Sequence, residues 1–383
     1  MNILILTRSK LFECYGGDTT QVTLVKSLLE ANSVVVHIYE YPNLPAQSRF
    51  YDVVHIYNVQ NYSEALSQHK WAQKNRLPIV LTPVYWPTKY YISTGLILKY
   101  HHSPIFRFLC NTPSLVSAVV DSYRNFWLRR HSSIKECLTI SNCISPNSIA
   151  ELEGIIGDFS IPTLRSKAFI SDNVISTAFD RHPHIDDIPE LDASIRDHLN
   201  SLVLQKSQIV IQVARIEPLK NQLLTIKACQ ELGLPLILVG SFPNHRYLRE
   251  CQHYASENIF FTGPLPLKSV FTLLSLSDIH CLPSFRESPG LSSLEAYSLG
   301  CSCVVSCYSP VQEYFQHDGF FVCDPFSLAS LKNALSDAVL AHTKRKTSLS
   351  VADRFNFANY DLLRDQIFAC YRFALSGFSN SAQ

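Results

Sequence analysis

The sequence contains few charged residues and few glycines. Charged side chains make up 17% of the 383 residues, and 33 Lys and Arg against 32 Asp and Glu leave a net charge of +1. Because 46% of the residues are hydrophobic, the composition excludes a disordered chain. The near-zero charge provides no overall field that would attract nucleic acid or an acidic membrane. The length favours two domains, since one domain usually has roughly 100–200 residues.

Long apolar runs and metal-binding motifs are also missing. No run reaches the roughly 18 apolar residues of a membrane span, and Met1–Thr7 lacks the basic start of a secretion signal. We therefore expect a cytoplasmic protein, with attachment to the inner face of a membrane left open. The 12 cysteines include no C-x-x-C pair, and the histidines include no H-E-x-x-H motif, so we expect reduced thiols and no metal site. Cys301 and Cys303 alternate along an apolar run, which favours a strand over a metal ligand pair.

Short apolar strands alternate with helical patterns in both halves of the chain. Such alternation predicts parallel sheets covered by helices on both faces, with ligands bound where the strands end. In the first half the segments are Ile3–Leu6, Thr19–Ala31, Val34–Tyr39, Val53–Tyr57, Ser63–Lys74 and Ile79–Thr82. In the second half they are Ile209–Val213, Gln222–Leu232, Leu236–Val239, Ile259–Thr262, Ile279–Leu282 and Cys303–Ser306. The sequence thus predicts an α/β fold with two doubly wound domains.

Composition along the chain suggests the domain boundaries. The stretch Asp180–Asp197 holds six acidic residues and two prolines with little apolar periodicity, which is typical of a linker. We therefore expect a first domain over residues 1–180, a linker over 181–206 and a second domain over 207–350. The tail, 351–383, has a helical pattern with apolar residues that could dock on either domain, including a return to the first.

The glycine motifs of two common nucleotide-binding folds are absent. The sequence has neither the P-loop pattern G-x-x-x-x-G-K-[ST] nor the dinucleotide pattern G-x-G-x-x-G. Instead, Gly16 and Gly17 follow the first strand, and Asp18 is placed to cap the helix after them. These glycines either let backbone N–H groups approach a ligand or serve only the angles of a turn, and both interpretations remain open.

Two carboxylates flank a helix start in the second domain. Glu287 lies in the loop after the strand at Ile279–Leu282, and Glu295 falls on the second turn of the helix that follows. Backbone N–H groups at Gly290 and Leu291, together with the helix dipole, suit a phosphate placed between a sugar and a ribose. The alternative is a solvated acidic loop followed by a capping glutamate.

Two cations flank the first turn of the same domain. Arg215 and Lys220 lie between the strand Ile209–Val213 and the helix Gln222–Leu232. Both would bring positive charge to the carboxyl edge of the sheet, where charge-assisted hydrogen bonds could hold a diphosphate. The alternative is a pair of surface cations near a helix.

Together these residues resemble the retaining glycosyltransferases of family 4, which have the GT-B architecture of two Rossmann-like domains facing across a cleft. The resemblance implies transfer of a sugar from a nucleotide-diphosphate sugar to a glycan, lipid-linked or other hydroxyl acceptor. The nucleotide sugar would be a co-substrate, and no further cofactor or protein-bound metal is expected.

The resemblance also implies a role for each site residue. Arg215 and Lys220 would hold the donor diphosphate, Glu287 would contact the donor sugar, and these three would be the catalytic residues. Glu295 would bind the ribose, and the other donor-binding residues would be Gly290 and Leu291 at the phosphate and Gly16 and Gly17 near the transferred sugar.

The sequence departs from the family pattern where many members have a histidine after the fourth predicted strand. This chain has Pro83-Val84-Tyr85-Trp86 there. A catalytically inactive nucleotide-sugar-binding protein of the same fold is therefore an alternative, as is a nucleotide-sugar epimerase.

A basic stretch in the first domain concerns the acceptor. Lys89–Lys135 contains seven Lys and Arg but one acidic residue, Asp121, with aromatic and aliphatic residues between them. This mixture suits an anionic membrane surface or a lipid-phosphate acceptor, and equally a solvated helix face. No recognisable nucleic-acid module accompanies it, so nucleic acid is not expected as a partner.

Overall fold

The computed structural model describes residues 1–13, 16–86, 124–175, 184–205, 207–287, 290–307, 311–315, 318–345 and 359–381. These residues divide into two compact units. The first comprises the described residues up to 174 together with 359–381, and the second comprises those from 175 to 345. Each unit has its own parallel sheet.

The first unit contains a five-stranded sheet. Its strands are β1 (Asn2–Thr7), β2 (Val35–Glu40), β3 (Val53–Tyr57), β4 (Ile79–Thr82) and β5 (Cys143–Ile144), in the order β2-β1-β3-β4-β5. All paired strands run parallel. The buried apolar residues of β1, β3 and β4 agree with a sheet covered on both faces. The strand order reverses between β1 and β3, which are neighbours in the sheet.

Among the described residues, four α-helices of the first unit precede the second unit in the chain. They are α1 (Gly17–Ala31), α2 (Tyr62–Lys74), α3 (Arg124–Ile140) and α4 (Ile149–Phe159). Gly16 is the N-cap of α1, and Oδ1 of Asp18 accepts a 3.0 Å hydrogen bond from the N–H of Thr19 in the first turn, so Asp18 caps that turn as expected. The Asp18 carboxylate also forms an ion pair with Arg8.

The second unit contains a six-stranded parallel sheet. Its strands are β6 (Val210–Val213), β7 (Leu236–Val239), β8 (Ile259–Gly263), β9 (Ile279–Leu282), β10 (Ser302–Ser306) and β11 (Phe320–Cys323). They follow the order β11-β10-β9-β6-β7-β8. The order therefore reverses between β6 and β9, which pair directly with each other.

The helices of the second unit begin within the predicted linker. They are α5 (Ala193–Leu204), α6 (Gln222–Leu232), α7 (His245–Tyr254), α8 (Leu267–Leu276), α9 (Leu291–Leu299), α10 (Val311–Tyr314) and α11 (Leu328–Arg345). Ile185, Ile188, Leu199 and Leu202 are buried in the core of this unit. The linker assignment of 181–206 is therefore corrected for this part, because regularly spaced apolar side chains between the acidic residues bind it to the core.

The last helix, α12 (Tyr360–Ser381), belongs to the first unit. Leu363, Ile367 and Tyr371 are buried against the strands of that unit. The Tyr371 hydroxyl lies 2.9 Å from Nδ1 of His55 on β3, and Nε2 of His55 lies 2.8 Å from Oγ1 of Thr82. Burial lowers the pKa of His55 to about 3, so a neutral imidazole bridges the helix and the sheet.

The predicted fold class is confirmed in its secondary structure and sheet topology. Several strands match their predicted bounds, among them Val53–Tyr57 and Ile279–Leu282. Cys303 lies within β10, as its alternation indicated, and the described cysteines are all free thiols. Among the helices that the structure describes, none is both long and apolar enough to cross a membrane.

Candidate active site

The sequence-predicted cations and one of the glutamates lie at the carboxyl edge of the second sheet. Arg215 and Lys220 follow β6, and Glu287 follows β9. Since β6 and β9 are the neighbours between which the strand order reverses, the connections after them leave in opposite directions and open a crevice. Open α/β sheets bind ligands at such a point.

The connection from β6 to α6 is held in one conformation by side-chain amides. Gln212 donates a hydrogen bond of 2.7 Å to the carbonyl of Lys220, and Gln222 donates one of 2.9 Å to the carbonyl of Arg215. Asn221 has the left-handed φ of 59° and donates to the carbonyls of Pro283 and Pro325. These bonds tie the loop that carries both cations to the loops after β9 and β11.

Lys220 and Glu287 form a direct ion pair. Nζ of Lys220 lies 2.5 Å from Oε1 of Glu287, and the two side chains are 15% and 12% exposed. The backbone N–H of Phe285 also donates to the carbonyl of Leu219 at 3.0 Å, which fixes the two loops side by side. Partial exclusion of water strengthens the attraction between the charges relative to an exposed pair.

Arg215 lies on the same loop in a more open environment. Its Nη2 is 3.0 Å from Oε1 of Glu217, and its side chain is 45% exposed. Its partner Glu217 is only 14% exposed, so the guanidinium is the solvent-facing side of this pair. That exposure leaves the guanidinium accessible to an anionic ligand.

The start of α9 lies beside Glu287. Gly290 is the N-cap of this helix and has a φ of 96°, which favours glycine. A Cβ at this position would lie 3.3 Å from Cδ2 of Leu282 and 3.5 Å from Cγ of Glu287. Leu291 is the first helical residue, so its N–H belongs to the positive end of the helix dipole. Ser288 and Pro289 lie outside the described residues.

Glu295 is buried on the second turn of α9. Its pKa is raised to about 7, because burial disfavours the charged carboxylate. The residue as a whole is only 9% exposed. Residues Ser293–Tyr297 are all buried, so this short helix has almost no solvent-facing side at that turn.

Sequence patterns alone missed three residues that shape this site. The first is Asn221, which has a left-handed backbone conformation in a tight turn. Asparagine adopts this conformation more readily than most residues. The second, His280, is buried on β9 with its pKa lowered to about 3 by burial, and it accepts a 3.4 Å hydrogen bond from the N–H of Val213. The third, Gly240, follows β7 and has a φ of 146°, and a Cβ there would lie 2.1 Å from the carbonyl oxygen of Ala214.

The second unit matches a known protein family in sequence. Residues 195–349 match the model of the family described as Glycosyl transferases group 1. This segment includes the ion pair of Lys220 and Glu287, the Arg215 loop and the start of α9. No curated protein matches the sequence.

The whole chain is similar in fold to solved glycosyltransferase structures. The Anabaena protein HepE, in complex with UDP and glucose, is 15% identical with a TM-score of 0.62, covering 96% of this chain and 98% of its own. Sucrose-phosphate synthase from Thermosynechococcus elongatus is 14% identical with a TM-score of 0.63, covering 98% and 97%. WaaG, a glycosyltransferase involved in lipopolysaccharide biosynthesis, is 15% identical with a TM-score of 0.56, covering 97% and 98%.

At these identities the similarity establishes the fold, which is that of the GT-B glycosyltransferases. The family match of residues 195–349 and the shared fold together support a glycosyltransferase. The assignment to the retaining family 4 stays a prediction.

In the first unit, Gly16 and Gly17 lie at the start of α1. Gly16 has an extended backbone, and its N–H donates to Oγ1 of Thr19 at 3.1 Å. Gly17 is exposed at the first helical position. Both glycines follow β1 at the carboxyl edge, next to the point between β1 and β3 where the strand order of this sheet reverses.

Tyr85 and Trp86, which stand where the family that the sequence resembles has a histidine, are both buried after β4. The Tyr85 hydroxyl donates to Oδ2 of Asp158 at 2.5 Å, and its backbone N–H donates to Oε1 of Glu151. Val84 before them has a left-handed φ of 47°, which is unusual for a β-branched residue. The position is therefore occupied by a packed aromatic pair on a strained turn.

The basic stretch Lys89–Lys135 is described only in part, since residues 87–123 lie outside the described residues. Arg129 and Lys135 are exposed on α3. Arg130 is fully buried and donates hydrogen bonds of 3.3 Å to Oε1 of Gln60 and to the carbonyl of Trp86. Arg130 is therefore not available to the membrane surface or anionic acceptor that the basic stretch suits.

Proposed function

We propose that the protein is a retaining glycosyltransferase that transfers a sugar from a nucleotide-diphosphate sugar to a hydroxyl acceptor. The observation that carries this proposal is the meeting of Lys220 and Glu287 at the β6–β9 edge, with Arg215 on the same loop and the start of α9 beside Glu287. The family match covers all of these residues.

The positive charges suit the departure of a nucleotide diphosphate. Negative charge grows on the diphosphate as the bond to the sugar breaks, and groups fixed in advance around that charge lower the barrier. The Lys220 ammonium has three N–H donors, so it can keep Glu287 as a partner and still donate to a phosphate oxygen. With Arg215 and the start of α9, this charge would serve in place of a protein-bound metal.

The two glutamates would hold the donor at either end. Glu287, fixed by Lys220 through Oε1, keeps a second oxygen for a hydroxyl of the donor sugar. Glu295 would accept hydrogen bonds from the ribose hydroxyls, and these bonds would favour its ionised form. The acceptor proton would go to a donor phosphate oxygen, or Glu287 would form a transient adduct with the sugar, and both routes retain the anomeric configuration.

The acceptor is proposed to be a glycan, a lipid-linked sugar or another hydroxyl compound. HepE was solved with UDP and glucose, and WaaG is involved in lipopolysaccharide biosynthesis, so proteins with this fold handle such molecules. An anionic or lipid-linked acceptor would agree with the local excess of basic residues between Lys89 and Lys135.

One observation favours a second candidate function. The buried pair Tyr85 and Trp86 fills the position of the family histidine, so a nucleotide-sugar-binding protein without transfer activity is the competing proposal. It would keep the donor site of the second unit and lack catalysis.

A panel of nucleotide sugars, each with and without candidate glycan acceptors, tests these proposals. A transferase releases nucleotide diphosphate and, by NMR, gives a product with the anomeric configuration of the donor. A binding protein is stabilised against heat by a donor but releases no nucleotide diphosphate. An epimerase alters the sugar without releasing the nucleotide. A protein that neither binds nor converts any donor contradicts all of these functions.

A further inference from the structure

The loop that follows β1 lies at the position in the first sheet that corresponds to the proposed donor site in the second. Residues 8–13 and 16 of this loop are described, and they leave the carboxyl end of β1 where the strand order reverses toward β3. Ligands of open α/β sheets bind at such a point. Gly16 and Gly17 form the end of this loop and the start of α1.

Asp18 fixes the end of this loop to two neighbouring strands. Its Oδ2 accepts a 2.7 Å hydrogen bond from Nε of Arg8, at the end of β1, and its Oδ1 accepts one of 3.2 Å from Nη2. Asn58, at the end of β3, donates to Oδ2 at 3.4 Å. Arg8 and Asp18 are mostly buried, so the ion pair is partly shielded from solvent.

Glu64 on α2 holds the beginning of the same loop. It accepts a 2.9 Å hydrogen bond from the backbone N–H of Ser9 through Oε2, and one of 2.8 Å from the Ser9 hydroxyl through Oε1. A further carboxylate, that of Glu40 at the end of β2, accepts from the N–H of Phe12 at 2.9 Å. Leu11 between them is fully buried, and its carbonyl accepts from Oγ1 of Thr19.

Carboxylates from three different elements therefore converge on one surface loop. A buried leucine and a turn would be enough to close the chain between β1 and α1, whereas these bonds fix individual backbone groups along the loop. Gly16 is coupled to the same set of bonds, since its N–H donates to Oγ1 of Thr19, whose own N–H donates to Oδ1 of Asp18. The described residues 8–12 and 16–19 are thus held by hydrogen bonds before any ligand binds.

We propose that Asp18 and Glu64 are positioning residues, whose carboxylates hold the loop after β1 so that Gly16 and Gly17 are correctly placed for glycosyl transfer. This inference rests on the proposed function and on the family resemblance, which implies that these glycines lie near the transferred sugar. Neither carboxylate touches the sugar. Their effect is on orientation, to which transfer rates are sensitive, because a displacement of about 1 Å can lower a rate by about 100-fold.

The test uses the full-length protein with neutral variants of the same shape, Asp18→Asn and Glu64→Gln. Each is expected to lower kcat about tenfold or more and to leave the KM of the donor within about twofold, because the donor is bound by the second unit. Ser9→Ala, which keeps the backbone bond to Glu64 and removes the hydroxyl bond, is expected to give a smaller loss.

Two matched variants separate positioning from a general effect of lost charge. Asp52→Asn removes a carboxylate that accepts from the backbone N–H of Asn2 at the opposite end of β1. Glu13→Gln removes an exposed ion pair with Lys10 within the same loop. Both are expected to keep the wild-type kcat.

The outcomes distinguish this inference from the proposed function. A wild-type enzyme that transfers sugar, with full kcat in Asp18→Asn and Glu64→Gln, overturns the positioning role alone. A loss of kcat that only follows the fraction of folded protein, seen equally in Asp52→Asn, also overturns it. A wild-type protein that neither binds nor converts a donor ends the proposed function, and this inference with it.

Discussion

Lys220 and Glu287 are separated by 67 residues in sequence and joined by a 2.5 Å ion pair that is largely removed from water. The pair exists because the loops after β6 and β9 leave neighbouring strands at the same edge of the sheet. It gives the proposed donor site a fixed cation and a fixed carboxylate before any ligand arrives.

The first prediction concerns the energy of this pair. Lys220→Met leaves the Glu287 carboxylate without a cation, and Glu287→Gln leaves the Lys220 ammonium without an anion. Each change is expected to lower the free energy of unfolding by about 1–3 kcal/mol. The double variant should recover at least about 1 kcal/mol of the summed loss. Urea denaturation measures all three. Losses that add without coupling would show that the pair contributes nothing in solution.

Recovered stability is not expected to restore function. The double variant lacks both the cation for the diphosphate and the carboxylate for the sugar, so it should remain inactive although it is more stable than the sum of the two single losses implies. Nucleotide-diphosphate release, measured beside the denaturation curves, separates the two properties.

The second prediction concerns pH and Glu295. Its pKa is about 7 in the folded protein and 4.5 as the ordinary value, so the folded state binds the proton more tightly. The resulting stability is present at low pH and is lost as the pH rises through 7. Glu295→Gln removes this dependence and should be more stable than the wild type by about 1–3 kcal/mol at about pH 8.5, with little difference at about pH 4.5.

Thermal or urea unfolding at both pH values measures this difference. The same variant should bind the donor more weakly, because the amide cannot accept two hydroxyl hydrogen bonds as a carboxylate does. Parallel stability profiles of the wild type and the variant would contradict the raised pKa.

The third prediction concerns Arg215, which is half-exposed. Arg215→Ala should weaken donor binding by about 10-fold to 100-fold. Arg165→Ala, which removes a similarly exposed pair with Glu153 in the first unit, is the control and should leave donor binding unchanged. Isothermal titration with the donor nucleotide diphosphate is the measurement, and equal affinities in both variants would remove Arg215 from the site.

The fourth prediction concerns two glycines of the second unit. Gly240→Ala places a Cβ 2.1 Å from the carbonyl oxygen of Ala214, so the loops after β6 and β7 must separate. We expect a loss of about 3 kcal/mol or more, or a failure to fold. Gly233→Ala has a φ of 66° but open space around the Cβ, and should lose about 1 kcal/mol. Circular dichroism melting curves compare the two, and similar midpoints would contradict the close approach.

Much of the fold could be predicted from local patterns. Buried parallel strands such as Leu236–Val239 are short runs of aliphatic residues, and they are recognisable because both faces are covered. The acidic residues of the segment 181–206 favour a linker and hide the helical spacing of its apolar residues. In the structure Ile185, Leu199 and Leu202 are nevertheless buried in the core of the second unit.

The candidate site was predictable in its members but not in its contacts. Arg215, Lys220 and Glu287 are recognisable because each follows a predicted strand. The direct contact of Lys220 with Glu287 depends on β6 lying beside β9, and strand order is set by packing across the whole sheet. The burial of Glu295 was not predictable for the same reason. The elements packed around α9 bury it, and the sequence of α9 alone has no pattern that shows this.

The docking of α12 on the first sheet has a consequence for biosynthesis. The strands of the first unit leave the ribosome early, yet the helix that covers them, with Tyr371 bonded to His55, is made after the entire second unit. Apolar residues that share a core with α12, such as Ile3, Val25 and Val53, therefore stay partly exposed until the second unit has been synthesised. The unit whose strands are translated first is the one whose core is completed last.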